Sequence, residues 1–352
     1  MGGVREVGVA ETVLGPASSR PAPGGRGGLR AAWFAGTFGL SVAAFAVTIV
    51  LAPGAGEEPV RALGWLLFTG SSVHVAATAW LYTVPEIRAH VRNHPRRYVT
   101  VPLALVLGTA AVAAVLTPRA FAWLLLPFFA WQFFHFQKQN LGMAALARAG
   151  YRAGPMRPVE RRAIVAAGCA GTAGLLLHPH LLDLAVDHRL DALFPVAGVA
   201  FAATVAWGLA AVARRPADQR PWPFLAVYAT SLLFFAPVFV FESPYRAVAG
   251  IVMAHGYQYL VILALLAGSR SIAGSRVVGP ALLLNIALLG GLALATASHL
   301  HDGTAAARAV YGAYLGVTMA HFVVDAGIWR LRDEFPRQFL TSRLPYLLAR
   351  QD

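Results

Sequence analysis

Runs of about twenty mostly apolar residues recur along the chain. That is the length an α-helix needs to cross a hydrocarbon core roughly 30 Å thick, at roughly 1.5 Å of rise per residue. Lipid offers no hydrogen-bond partners, so the backbone of such a run must satisfy itself, and a helix does so within one segment. The runs predict helices over 31–52, 62–84, 99–116, 119–137, 162–178, 190–213, 221–241, 243–267, 276–298 and 305–330. The fold class is therefore all-α, a polytopic transmembrane bundle of about ten helices. With 57% hydrophobic and 13% charged residues, the composition leaves no room for an ordinary soluble domain. Residues 1–30, rich in Gly, Pro, Ser and Arg, are expected to be a disordered tail. Residues 31–332 form the membrane domain and 333–352 a C-terminal tail.

A net charge of +13 would suggest nucleic acid in a soluble chain. Here the basic residues sit in short stretches between apolar runs, where they set topology, so nucleic acid is excluded as a partner. With the N-terminus inside, Arg61, Arg119, Arg189, Arg246 and Arg308 fall outside, one per loop, and every other Lys and Arg falls inside. That is the charge bias of cytoplasmic loops. Glu57, Glu58, Asp183, Asp187, Asp191, Glu242 and Asp302 all fall at the outer side. Both termini are thus expected in the cytoplasm, and the expected location is a bacterial cytoplasmic membrane. Cys169 is the one cysteine, so neither an intrachain disulfide nor a thiolate metal cluster can form. Any metal must take imidazole or oxygen ligands.

Seven of the eleven histidines lie in loops or at helix ends, and four lie inside predicted helices: His74, His135, His255 and His321. Ionisable groups at that depth are costly and face the bundle interior with a partner, which marks a functional site. The four helices run in one direction, and the histidines lie about 12 to 16 residues from their outer starts, a layer roughly 6 Å thick at 1.5 Å per residue. Their helical-spacing neighbours are polar. Ser71, Thr78 and Tyr82 share the His74 stripe, Gln132 and Gln139 that of His135, Gln258 and Tyr259 that of His255, and Tyr314, Thr318 and Asp325 that of His321. Four neutral imidazoles beside a carboxylate suit iron, with copper or zinc as alternatives.

The His321-Phe322-Val323-Val324-Asp325 segment, together with histidines on several helices, resembles the bacterial Brp/Blh-type β-carotene dioxygenases. The resemblance implies a multi-pass protein that holds one iron through histidines and cleaves a carotenoid within the membrane. The family's His-Gly-x-x-Asp-His segment is missing, since His255-Gly256 is followed by Tyr257 and Gln258. The reading that follows is a membrane metalloenzyme, an iron-dependent oxidase or oxygenase whose lipophilic substrate enters from the bilayer. His74, His135, His255 and His321 would bind the metal. Asp325 would orient or complete the ligand set, and Tyr259, Gln139 and Gln258 would position substrate or oxygen. Two other classes use the same residues: a proton-coupled transporter relaying through the His/Asp cluster, and a haem cytochrome with paired histidine ligands.

Overall fold

The computed structural model of the chain describes residues 23–54, 57–184, 186, 190–269, 277–301 and 303–348. Among them are helices and connecting turns and no strand. In chain order the helices are α1 (Gly27–Leu51), α2 (Arg61–Thr83), α3 (Pro85–Asn93), α4 (Arg96–Val115), α5 (Pro118–Gly150), α6 (Pro158–Leu177) and α7 (Asp191–Ala213). They continue as α8 (Trp222–Leu233), α9 (Tyr245–Gly268), α10 (Val278–Ser298), α11 (Ala305–Ile328), α12 (Glu334–Arg343) and α13 (Pro345–Leu348).

Seven of these, α1, α2, α4, α7, α9, α10 and α11, are long and apolar enough to cross a bilayer. Their outward faces carry bare aliphatic side chains, such as Leu103, Leu107 and Val115 on α4 and Leu284, Leu289 and Leu292 on α10. An exposed belt of that kind is stable only against lipid, which marks an integral membrane protein.

The three other expected spans differ for separate reasons. Helix α5 runs 33 residues, thirteen past the expected end, and its second half carries Gln137, Lys138, Gln139 and Asn140. Those polar residues lower its hydropathy, yet Gln137 and Asn140 are buried in contacts with other helices. Helix α6 starts four residues early, at Pro158, and draws Glu160 into the protein. The buried Glu160 carboxylate accepts two hydrogen bonds from Arg215, both at 2.6 Å, and Arg215 also donates to the carbonyls of Ala153 and Pro155. Helix α8 stops at Leu233, and the chain continues as a short turn over Ala236–Phe239 that includes Pro237. Proline has no amide hydrogen to extend the helix and clashes with the preceding turn.

Helix α9 is the axis of the bundle. Within its most apolar stretch 61% is buried, against 11% for the peripheral α4. Helices α1, α2 and α10 pack around α9, α4 lies along α11, and α6 pairs with α7. The α4–α11 pair is close because Gly312 and Gly316 of α11 lie against the backbone of α4 at Thr109 and Val106.

The helix ends expected in the cytoplasm meet on one face of the structure. Arg30 donates to the Gly150 carbonyl at 2.9 Å, Arg157 to that of Arg214 at 3.3 Å, and Arg343 to Glu86 at 2.6 Å. The segment expected as a C-terminal tail docks there, with Phe339, Leu340, Leu344 and Leu347 buried. His90 of α3 stacks on Phe335 of α12, with ring centroids 4.0 Å apart. Burial, with help from His94 and Arg97, holds the His90 pKa below its ordinary 6.5. A depressed histidine pKa favours the fold only while the ring stays neutral, so docking of α12 should weaken as pH falls through and below 6.5. Amide exchange over α12 should speed up in that range, and His90→Phe should abolish the response.

Candidate metal centre

The four intramembrane histidines converge. Around the circuit His74, His255, His135, His321 and back to His74, neighbouring ring centroids lie 5.0, 5.0, 5.1 and 5.2 Å apart. His255 and His321 face each other across it at 6.3 Å. One ring nitrogen from each of His74, His255 and His321 lies within 4.8 Å of the other two, and His135, His321 and Asp325 form a second such group. His74, His255 and His321 are buried, and the His135 side chain is 10% exposed.

Helix geometry places these rings. On α2 the turn over Thr69–Val73 widens to a π-helix immediately before His74, a local distortion common at functional sites. Gly70 in that turn lies against the backbone of α9, and Gly256 lies against the Gly70 carbonyl. Two residues without side chains at the crossing let α2 and α9 approach until His74 and His255 stand edge to face. Phe136 stacks on His255 at 3.9 Å and Phe322 on His135 at 4.5 Å, so apolar rings wall the cluster from both sides.

The hydrogen bonding of the rings is incomplete, and a cation could take one nitrogen of each ring. Both nitrogens of His74 and of His255, and the Nε2 atoms of His135 and His321, are buried without a hydrogen-bond partner. The carbonyls of Gly70 and Ser71 lie near the His74 ring, yet no hydrogen bond of ordinary geometry reaches either nitrogen. An unmet buried polar group costs about 1–3 kcal/mol. Such groups cluster on four rings, and the lone pair of a neutral imidazole is a good ligand for a transition metal.

One ring is oriented by a chain of hydroxyls. His321 Nδ1 lies 2.6 Å from Thr78 Oγ1, Thr78 Oγ1 lies 2.9 Å from Tyr259 Oη, and Tyr259 donates to Asp325 Oδ1 at 2.9 Å. With Asp325 as a carboxylate, which can only accept, the direction of the whole chain follows. Tyr259 spends its proton on Asp325, so Thr78 must donate to Tyr259 and His321 must donate from Nδ1 to Thr78. While Asp325 is ionised, as it would be beside a bound cation, this sets the His321 tautomer, with the lone pair on the unpartnered Nε2. Metal-binding histidines are usually held in this way by a partner on the far nitrogen. Asp325 Oδ2, not used by Tyr259, lies 3.9 Å from His135 Nε2 and 3.7 Å from His321 Nδ1.

Of the residues singled out in the sequence, the structure brings His74, His135, His255, His321, Asp325 and Tyr259 into one cluster. Gln139 and Gln258 lie behind it. Gln139 Nε2 donates to the His255 carbonyl at 2.9 Å and to Gln258 Oε1 at 3.0 Å, and Gln258 Nε2 donates to Ser41 Oγ at 2.9 Å. They hold α9 against α5 and α1. Thr78 is the added member of the site. Its signal in the sequence was its place four residues after His74, on the same helical stripe. No protein family, curated protein or solved structure matches the chain.

Proposed function

We propose that the chain is a membrane-embedded metalloenzyme, an iron-dependent oxidase or oxygenase acting on a lipophilic molecule drawn from the bilayer. The carrying observation is the closed circuit of four imidazoles whose buried nitrogens lack partners. His135, His321 and Asp325 make up the two-histidine, one-carboxylate donor set of non-haem iron oxygenases. His74 and His255 add two imidazoles on the other side. Copper and zinc accept imidazole as well, so metal analysis decides among the three. When bound, iron supplies the redox chemistry that activates dioxygen. The chain's own residues orient the ligands through Thr78 and Tyr259, exclude water with Phe136 and Phe322, and hold a proton on the hydroxyl chain ending at Asp325. A carotenoid-like polyene is the substrate suggested by the resemblance at His321-Phe322-Val323-Val324-Asp325.

Ten spans with both ends in the cytoplasm of a bacterial cell complete the proposal. Helices α5, α6 and α8 supply the three spans beyond the seven most apolar ones, and the basic helix ends meeting on one face support the orientation. The test is elemental analysis of protein purified in detergent. Wild type should carry about one equivalent of metal, since a single cluster of ligands can hold one ion. Each of His74→Ala, His135→Ala, His255→Ala and His321→Ala should lose most of it. Full occupancy in all four variants would sink the assignment, and a Soret band in the wild type would move it to haem.

A further inference from the structure

A groove of about 480 Å³ opens beside the histidine cluster between α4, α5 and α11. Val101, Trp131, Phe322, Val323 and Ala326 form its walls, and Arg96 and Arg97 stand at its end. Phe322 borders the cavity and stacks on His135, with ring centroids 4.5 Å apart. Trp131 packs against Phe322 at 5.6 Å, which leaves a continuous aromatic wall along the groove.

Some arginines on that face lie beside a carboxylate and others, such as Arg30 and Arg157, bond to backbone carbonyls. Arg215, Arg330, Arg332 and Arg343 each lie beside a carboxylate. Among the described residues neither Arg96 nor Arg97 makes an ion pair. Arg96 is exposed and Arg97 half-buried. Two unpaired guanidinium groups at the mouth of an apolar groove at the membrane edge are complementary to one kind of molecule, an apolar chain ending in an anion.

We infer that this groove binds a single-chain amphiphile bearing a terminal carboxylate, with the carboxylate on Arg96 and Arg97 and the chain lying along Trp131 and Phe322 toward His135. The inference rests on the metalloenzyme reading for what happens at the far end of the chain, and it departs from the polyene suggested by the resemblance in giving the substrate a terminal carboxylate. A pocket of 480 Å³ falls in the range of about 300–1,000 Å³ usual for small-molecule sites. The planar, two-oxygen carboxylate matches the guanidinium fork, and an arginine can hold it with two parallel hydrogen bonds.

Binding of radiolabelled palmitate to the full-length protein in a neutral detergent tests this directly. Palmitate should bind wild type at least about tenfold more tightly than its methyl ester, the loss expected when hydrogen bonds to a charged group are removed. The R96Q/R97Q variant should bind acid and ester alike, R96K/R97K should recover part of the preference, and Val323→Trp should weaken both ligands by filling the groove. Melting temperature and metal content should stay at wild-type values in the arginine variants, and the single exposed change R96Q should still reduce the preference. Equal binding of acid and ester by wild type would overturn the inference, as would a preference for the lysophosphatidate of the same chain. Metal content separates the two levels: selective palmitate binding without metal would sink the enzyme reading alone, and metal without selectivity would sink this inference alone.

Discussion

Gly256→Ala is expected to destabilise the protein by about 3 kcal/mol, the upper end of the cost of overpacking a core, and to empty the metal centre. The reason is what the new methyl group would meet. A Cβ at position 256 would collide with the backbone carbonyl of Gly70, which cannot rotate away as a side-chain end could. Helices α2 and α9 would have to separate, and His74 would leave His255, whose ring centroid now lies 5.0 Å away. Stability and metal content should therefore fall together. Gly64 of α2 is the control: nothing lies within 4 Å of a Cβ built there, so Gly64→Ala should leave both unchanged or raise the melting temperature slightly. Thermal unfolding in one detergent, with metal analysis of the same samples, checks both. A wild-type melting temperature for Gly256→Ala would show that the helix crossing is not as tight as the structure has it.

This helix crossing shows where the sequence could be read and where it could not. The histidines were legible because burying an ionisable group in lipid is costly, so four at matched depth on helices of one direction implied convergence. Asp325 and Tyr259 were legible because they repeat at helical spacing from His321 and His255. The role of Gly256 was not, because glycine is frequent in this chain and its importance depends on the partner helix, which only the tertiary structure supplies. Helix α5 misled for a related reason. Gln137, Gln139 and Asn140 read as the end of a span because hydropathy averages over a helix without regard to face, whereas in the bundle they bond to neighbouring helices. Gln139 and Gln258 show the limit of the stripe argument. Periodicity places a residue on an inward face, but which inward neighbour it meets depends on packing, and both amides meet the backbone and side chains around α9.

Tyr259→Phe should weaken metal binding about 10- to 100-fold, the usual effect of losing a partner that orients a metal-binding histidine, while leaving the bundle folded. The substitution keeps the ring and removes one hydroxyl, which bonds Thr78 and Asp325 at 2.9 Å each. Without it Thr78 has no acceptor, so its proton can turn toward His321 Nδ1. The imidazole is then free to carry its own proton on Nε2, the nitrogen that faces the cluster without a partner. Thr78→Val breaks the same chain one link earlier and should have an effect of similar size. Because both changes act through one tautomer, the double variant should lose little more than either single one, in contrast to independent sites, whose effects add. Competition with a chelator of known affinity measures all three. Additive losses in the double variant would show that Thr78 and Tyr259 do not act in series on His321, and metal affinity unchanged in Tyr259→Phe would remove the hydroxyl chain from the account of the site.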